Sequence, residues 1–450
     1  MCTLVRLFFV AILVTTLTTA PAQSQGNRTR LVRDAEIENI IRRYATPIFN
    51  AAGLSADAVN IYLVRDDRLN AFVAGGQRLF INTGLLIRAS SANQVIGVIA
   101  HESGHIAGGH LSRIHDELRK AELKSILATV VGVAVGVATG DGRAAQTIVR
   151  GGQGLALTDL LKYSRTQESA ADAAALKYLD ATGQSARGFS EFFRLLQKDI
   201  RLQGGREHPY LSSHPLTNDR ISAVENHIAL SRFTDAKPPP DTVIDHQIMR
   251  AKLIGFMQPL ANVLKIYPEN NGSVPARYAR SAAYYLDGNL EMAVPLIDSL
   301  IAGAPKNPYF QELKGQMLFE NGRIEKSLEP YRRSVDLAPE EPLLRVALAR
   351  AQIETGNATL LEDAKVHLKV AAGREPEMRE IWRLSAIVSG RLGQMGEMTL
   401  AKAEYELLSG KNIAARTLAD RAIDQLPAGS PGWLRAQDIR AEAQQRIKPE

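Results

Sequence analysis

His101-Glu102-Ser103-Gly104-His105 is the segment of the chain richest in chemistry. Two imidazoles at i and i+4 project from one face of a helix, where both can reach a single ion, and the carboxylate beside them points toward water that the ion polarises. Zinc accepts such ligands. The H-E-x-x-H spacing therefore predicts metal-dependent peptide hydrolysis, with His101 and His105 as ligands and Glu102 as general base. The helix that must carry them is legible upstream. Ser91-Ala92-Asn93-Gln94 fits a capping box in which Ser91 caps and Gln94 reaches back, and the apolar run Val95 to Ala100 drives the helix through a buried stretch. Rigid burial is what a metal site requires of its ligands.

A catalytic zinc site normally takes three protein ligands and keeps one position open. His110 is one candidate, but an H-x-x-G-x-x-H extension would need the histidine at position 111, which is Leu111. If the helix continues, His110 also lies about 180° around from His101, so it is expected to be structural. Glu168 is the better candidate, in Tyr163-Ser164-Arg165-Thr166-Gln167-Glu168-Ser169-Ala170-Ala171-Asp172. Glu168 and Asp172 are one helical turn apart, so the first can coordinate while the second accepts a hydrogen bond from a ligand imidazole. Alone, the pair would read as a solvated face; beside H-E-x-x-H it reads as the second helix of a gluzincin.

The surrounding elements divide the chain. Residues 1–22 read as a cleavable signal peptide: Arg6 is basic, Leu7 to Leu17 is apolar, and Ala20-Pro21-Ala22 matches the small-residue cleavage pattern. Cys2, the only cysteine, would leave with it. The mature chain then has neither disulfides nor thiolate ligands, which leaves His, Asp and Glu to bind metal. An exported, cysteine-free, moderately basic chain points to a bacterial periplasm. The formal charge of +6, or +5 without Arg6, and the lack of long basic runs give no support to nucleic-acid binding and leave weak attraction to an anionic membrane surface.

Ile61 to Val64, Asn70 to Val73 and Leu79 to Asn82 read as strands of a small sheet, the last two joined by a Gly75-Gly76 turn. Its edge could pair with an extended peptide or simply shelter the helix. Residues 233–245, with Lys237-Pro238-Pro239-Pro240-Asp241, read as a stiff linker that closes a peptidase domain over 23–232. From 246 to 450 the strand signal nearly vanishes and Gly288, Gly322 and Gly356 recur every 34 residues, with Pro305 and Pro339 each 17 further on. That is the tetratricopeptide period. Ala293 and Ser327 fall five positions after a repeat glycine, where helices must approach closely. The unit from Gly356 to Pro376 is three residues longer, around Thr359-Leu360-Leu361; Gly410, Ala415 and Pro427 restore the offsets, and Gly396 with Ala401 marks a further unit. Such a solenoid offers a concave docking surface. The fold class is α+β and mostly α: a small-sheet gluzincin domain followed by an all-α solenoid. A second apolar run, Ile126 to Thr139, would reach about 21 Å as a helix, short of a bilayer. It is expected to be a buried helix contact, with a membrane-facing or substrate-gating segment as the alternative.

Asn70-Ala71-Phe72, Thr83-Gly84-Leu85-Leu86, the H-E-x-x-H helix, Tyr163-Ser164-Arg165 with Glu168 and Asp172, and His214-Pro215 with Arg220-Ile221 follow one another in an order that resembles metallopeptidase family forty-eight over roughly residues 35 to 230. With a signal peptide in front and repeats behind, the whole chain is similar to the family's periplasmic branch. The resemblance implies one zinc ion held by His101, His105 and Glu168, Glu102 as base and acid, and Asp172 supporting a ligand histidine. It places His214 near the metal, as an oxyanion donor or a cap on a resting site; a turn role before Pro215 is the plain alternative. Arg220 would orient an acid or a substrate carbonyl, or form a scaffold salt bridge. It further implies unfolded or misassembled outer-membrane beta-barrel proteins as substrates and the barrel assembly machinery as partner of the repeats. Asn93-Gln94 stands where relatives often carry an acidic residue, which bears on capping rather than chemistry. The rival readings are a gated or non-proteolytic chaperone or scaffold, and a free-standing protease whose repeats self-associate.

Overall fold

The computed structural model describes residues 30–139, 142–202 and 209–447, so the signal peptide expected at 1–22 lies outside them. Strand β1 (Leu31–Val32) leads into helix α1 (Ala35–Ala51). Asp34 caps α1 by accepting the Ile37 N–H at 2.9 Å, and Ile37, Ile40, Ile41, Tyr44, Ile48 and Phe49 line its buried face at helical spacing. Strands β2 (Asn60–Val64), β3 (Ala71–Ala74) and β4 (Arg78–Asn82) complete a sheet of order β1-β2-β4-β3. β2 runs parallel to β4, and β3 forms the expected antiparallel hairpin with β4, leaving β3 as an edge. Leu63, Leu79 and Ile81 face the core; Tyr62, Phe80 and Phe72 stack across the other face.

After the short α2 (Thr83–Arg88), α3 (Ala92–Ala107) carries the H-E-x-x-H segment and is buried from Val95 to His105. It starts where the sequence places it, but Ser91 Oγ makes no hydrogen bond. Gln94 reaches back one residue further, accepting the Ser90 N–H at 3.0 Å and donating to Ser90 Oγ at 2.8 Å. α4 (His110–Thr139) and α5 (Gly142–Ala181) pack as a long antiparallel hairpin. The two helices do contact each other, but Ile126, Leu127, Val130 and Val131 of α4 are exposed, which corrects the expectation of burial over 126–131; the side chains of 132–139 lie outside the described ones. α6 (Arg187–Leu202) adds Phe189, Phe192 and Phe193 to the core, followed by α7 (Pro209–Ser213) and α8 (Asn218–Leu230).

Part of the segment 233–245 is helical. Pro240 opens α9 (Pro240–Met257) at its first turn, a position where a missing N–H costs nothing. α9 is moreover no free-standing start of a second unit, because Met249 and Leu253 enter the same core as α1 and α3, and His246 Nε2 lies 3.0 Å from the Ala89 carbonyl oxygen. After α10 (Leu260–Ile266) come five helical hairpins. They are α11 (Val274–Leu286) with α12 (Leu290–Gly303), α13 (Pro308–Glu320) with α14 (Ile324–Leu337), α15 (Pro342–Glu354) with α16 (Ala358–Arg374), α17 (Arg379–Arg391) with α18 (Met395–Leu408), and α19 (Asn412–Gln425) with α20 (Pro431–Ile447). Gly288, Gly322, Gly356 and Gly410 make the turns with positive φ, and the longer third unit is a longer α16. In the fourth unit the turn glycine is Gly393, while Gly396 sits inside α18.

The repeats are bound to the first region through α1. Lys252 of α9 reaches Asp34 at 2.8 Å and Glu36 at 3.2 Å, and Tyr278 donates to Glu36 at 2.7 Å. Asn39 donates to Tyr309 and Glu341, and Arg33 bridges to Glu375 at 2.6 Å. Part of the repeat surface expected to serve a partner is thus occupied by the chain's own α1.

Candidate metal centre

α3, α5 and the segment after α7 converge on one point. His101 and His105 come from consecutive turns of α3, Glu168 from the facing side of α5 and His214 from the end of α7, and all four are buried. His101 Nε2 and His105 Nε2 are 3.0 Å apart; Glu168 lies 3.4 Å from the first and 3.2 Å from the second. His214 Nδ1 is 3.3 Å from His101 Nε2 and 3.1 Å from Glu168 Oε1. A tetrahedral ion with bonds near 2 Å separates its donors by about 3.3 Å. With either Glu168 oxygen as the donor, four of the six edges lie within about 0.3 Å of that figure.

The remaining nitrogens are committed elsewhere, which fixes which lone pairs point inward. His101 Nδ1 is 2.9 Å from Asp172 Oδ1, so that nitrogen donates its N–H to the carboxylate and Nε2 is the one turned toward the cluster, where a cation would displace any proton on it. Arg220 holds Asp172 through Nε at 2.6 Å and NH2 at 2.8 Å, reaches Glu168 Oε2 with NH1 at 2.8 Å, and donates to the Pro215 carbonyl at 2.9 Å. It is both a buried scaffold and the orienter of the Glu168 and Asp172 carboxylates.

His105 is oriented by a residue that spacing had set aside. α3 stops at Ala107, Gly109 turns the chain with φ +62°, and His110 swings back so that its Nδ1 lies 2.9 Å from His105 Nδ1. The expectation that His110 faces away rested on an unbroken helix, and the glycine pair breaks it. Tyr210 was also invisible in the sequence: it is fully buried, its ring packs 4.9 Å from that of His214, and its hydroxyl has no partner. Only its i, i+4 spacing to His214 could have drawn attention to it.

Glu102 is the one carboxylate in the cluster whose oxygens both lack a hydrogen bond, although it is fully buried. Its nearest polar neighbour is His214 Nε2, at 3.4 Å from Oε1 and likewise unpartnered. An orphaned buried carboxylate is costly and usually marks a functional site. Burial raises its pKa, although His214 and His101 act against that. Burial would also lower His101, but Asp172 and Glu168 hold it up at about 9; burial pushes His105 down to about 3. Despite its burial, Glu168 is held far below the usual carboxylate range by His101, His105 and His214. The cluster is built to keep a negative charge beside imidazole lone pairs, which suits a divalent cation.

Residues 32–228 match the model of peptidase family M48. The match spans the segment that holds every residue of the candidate centre. Among similar proteins, the beta-barrel assembly-enhancing protease of Yersinia pestis is 24% identical, over 87% of this chain and 81% of the relative's length. The beta-barrel assembly-enhancing protease of Escherichia coli K12 is 22% identical over 93% and 86%. The metalloprotease YcaL of Escherichia coli K12 is 29% identical over 38% of this chain and 61% of its own length. The first two likenesses span both the M48 domain and the helical repeats. The chain is a metallopeptidase, and no described helix is long and apolar enough to cross a membrane.

Proposed function

We propose that the chain is a periplasmic zinc endopeptidase that degrades misassembled outer-membrane beta-barrel proteins and assists their assembly. The observation that carries the catalytic part is the donor set of His101, His105 and Glu168, with edges of 3.0–3.4 Å beside a Glu102 that has no other partner. Those three would hold the zinc, one per chain. Bound there, zinc supplies a Lewis acid that polarises the scissile carbonyl and acidifies water. Glu102 takes the proton of the attacking water and passes it to the leaving amine. Asp172 and His110 keep the ligand imidazoles in the tautomer that presents Nε2, and Arg220 keeps the two carboxylates in place. The edge strand β3 offers unpaired backbone groups to an extended polypeptide. The substrate class and location rest on the likeness to the beta-barrel assembly-enhancing proteases and on the proposed signal peptide at 1–22, with the tetratricopeptide repeats as the contact to the barrel assembly machinery.

One geometric feature favours a gated enzyme. His214 Nδ1 sits at the fourth corner of the donor set, where water must enter, so α7 has to move His214 aside before hydrolysis; once displaced, its imidazole can donate to the oxyanion. The decisive experiment compares the chain from Gln23 with Glu102→Gln, assaying bound metal and cleavage of an unfolded beta-barrel protein. Wild type cuts, Glu102→Gln loses at least about 1,000-fold in kcat, and both bind zinc equally. Zinc-loaded wild type that never cuts, even as His214→Ala, would replace the protease with the non-proteolytic chaperone.

A further inference from the structure

The exposed stripe on α4 is a feature that the peptidase chemistry leaves unused. Leu123, Ile126, Leu127, Val130 and Val131 recur at three- and four-residue steps along one face, and each is at least 44% exposed. Leu155 of the neighbouring α5 is 69% exposed. From Ser125 to Thr139 the sequence has no charged residue, and from Ala144 to Thr158 it has Arg150 alone. Soluble surfaces rarely leave a stripe of five such side chains uncovered.

The base of the stripe says what covers it. Arg119 and Lys120 lie four and three residues before Leu123, hence on the same face one turn lower, and Lys124 flanks it; all three are exposed. Lys120 pairs with Glu117 at 2.7 Å, and the exposed Asp116 and Glu122 lie within two turns of the same base, so its cations share it with carboxylates. An aliphatic ridge bordered by cations is the pattern of a helix seated in the headgroup region of an anionic bilayer, with basic side chains reaching the phosphates. The stripe from Leu123 to Val131 is about 12 Å long, matching shallow burial rather than a span. Two other occupants fit less well. A second copy packed parallel along α4 would bring Arg119, Lys120 and Lys124 against their own images, and one packed antiparallel would leave these cations unanswered opposite the uncharged end of the run. An unfolded polypeptide gains most from a groove or free backbone edge, whereas this is a convex ridge with its backbone bonds closed within the helix.

We propose that the outer face of α4 docks the protein on an anionic phospholipid surface. The same two helices carry His110 at the start of α4 and Glu168 about 20 Å along α5 from Leu155, so docking sets the cleft roughly 25 Å along α4 from the membrane contact. A polypeptide emerging at that surface is thus within reach of the site while the repeats remain free.

The test is vesicle co-flotation of the chain from Gln23, with vesicles of phosphatidylcholine alone or with about 30 mol% phosphatidylglycerol. With the cations at the base partly offset by neighbouring carboxylates, binding is expected to be about 10-fold tighter to the anionic vesicles and to weaken with salt. Ile126→Glu/Leu127→Glu should lose it at least about 10-fold, while cleavage of a soluble unfolded chain without vesicles is unchanged. As a second readout, Leu127→Trp should show blue-shifted fluorescence on anionic vesicles. Failure of wild type to float, or equal flotation of the double variant, overturns the proposal. So does a vesicle-free rise in KM in the double variant, which would assign the stripe to polypeptide substrate, or loss of a concentration-dependent dimer, which would assign it to a second copy. None of these outcomes depends on which polypeptide the enzyme cuts.

Discussion

The metal centre depends on two hydrogen bonds that tell each histidine which nitrogen to present. His101 donates to a carboxylate, Asp172, whereas His105 faces a neutral imidazole, His110, across 2.9 Å. Between two Nδ1 atoms one must carry the proton; with His105 Nε2 turned to the ion, His105 donates and His110 accepts. His110→Ala removes that acceptor and is expected to weaken zinc affinity about 10- to 100-fold, with kcat at saturating zinc little changed. His110→Asn, whose Oδ1 can stand near the lost Nδ1, should restore most of the affinity. Competition with a chelator measures this directly, and equal affinities in all three proteins would reduce His110 to packing. The contrast with Glu168 and Asp172 explains what was legible in advance. Those two declare themselves by being one turn apart on a continuous helix, while His110 reaches His105 only because the chain reverses at Gly108-Gly109, and Tyr210 reaches His214 from a helix of five residues. Spacing reveals neighbours on a regular element and is silent where the element breaks.

Two elements must come unusually close to join the ligands. A Cβ on Gly104 would lie 2.8 Å from the Ala171 carbonyl oxygen and 3.0 Å from its Cα, so α3 and α5 meet backbone to backbone between His105 and the Glu168–Asp172 turn. In an isolated helix Gly104→Ala would gain about 1 kcal/mol. Here the obstruction is backbone that cannot yield without separating the helices, and overpacking of this kind costs about 1–3 kcal/mol. The clash should win. Gly104→Ala is expected to have a lower Tm and weaker zinc binding, and to lose more of its Tm with zinc present than after chelation. A Tm that rises with zinc affinity intact would mean that the two helices are not in such contact. The apolar run and the turn residues were enough to anticipate α3, the hairpin of β3 and β4, and the paired repeat helices, because each follows from local periodicity. Ile126 to Val131 was misread for the opposite reason. An apolar run states that a face wants cover, and whether the fold or something outside supplies it depends on contacts far away in sequence. Pro240 misled similarly: proline ends a helix when inside it but begins one at the first turn.

At the scale of the whole molecule, the repeats meet the peptidase region through buried charge that is poorly balanced. A cavity of about 360 Å³ is lined by Asp34, Lys252, Glu312, Glu320, Tyr331 and Arg350. Asp34 and Glu36 enter from the start of α1, Glu312 and Glu320 from α13, and Lys252 from α9 is the cation that touches Asp34 and Glu36. Burial, with Asp34, Glu36 and Glu320 acting in the same direction and Lys252 against them, pushes the Glu312 carboxyl up to about 7. A carboxyl raised in the folded state binds its proton more tightly there than in the unfolded chain. Folding stability therefore falls as pH climbs from the ordinary carboxylate range through about 7, and the cost is fully present above it. Glu312→Gln keeps the shape and removes the charge. It should be more stable than wild type by about 1–3 kcal/mol at pH 8 and nearly equal at pH 4.5, a range reduced from the full shift because Glu312 is only half-buried. Urea unfolding of both proteins at the two pH values checks this, since groups common to both cancel in the difference. An advantage no larger at pH 8 than at pH 4.5 would mean that Glu312 is solvated and that α13 does not close over α1. The pH dependence thus measures the docking of the two regions, because the acids that raise Glu312 lie on both sides of the boundary.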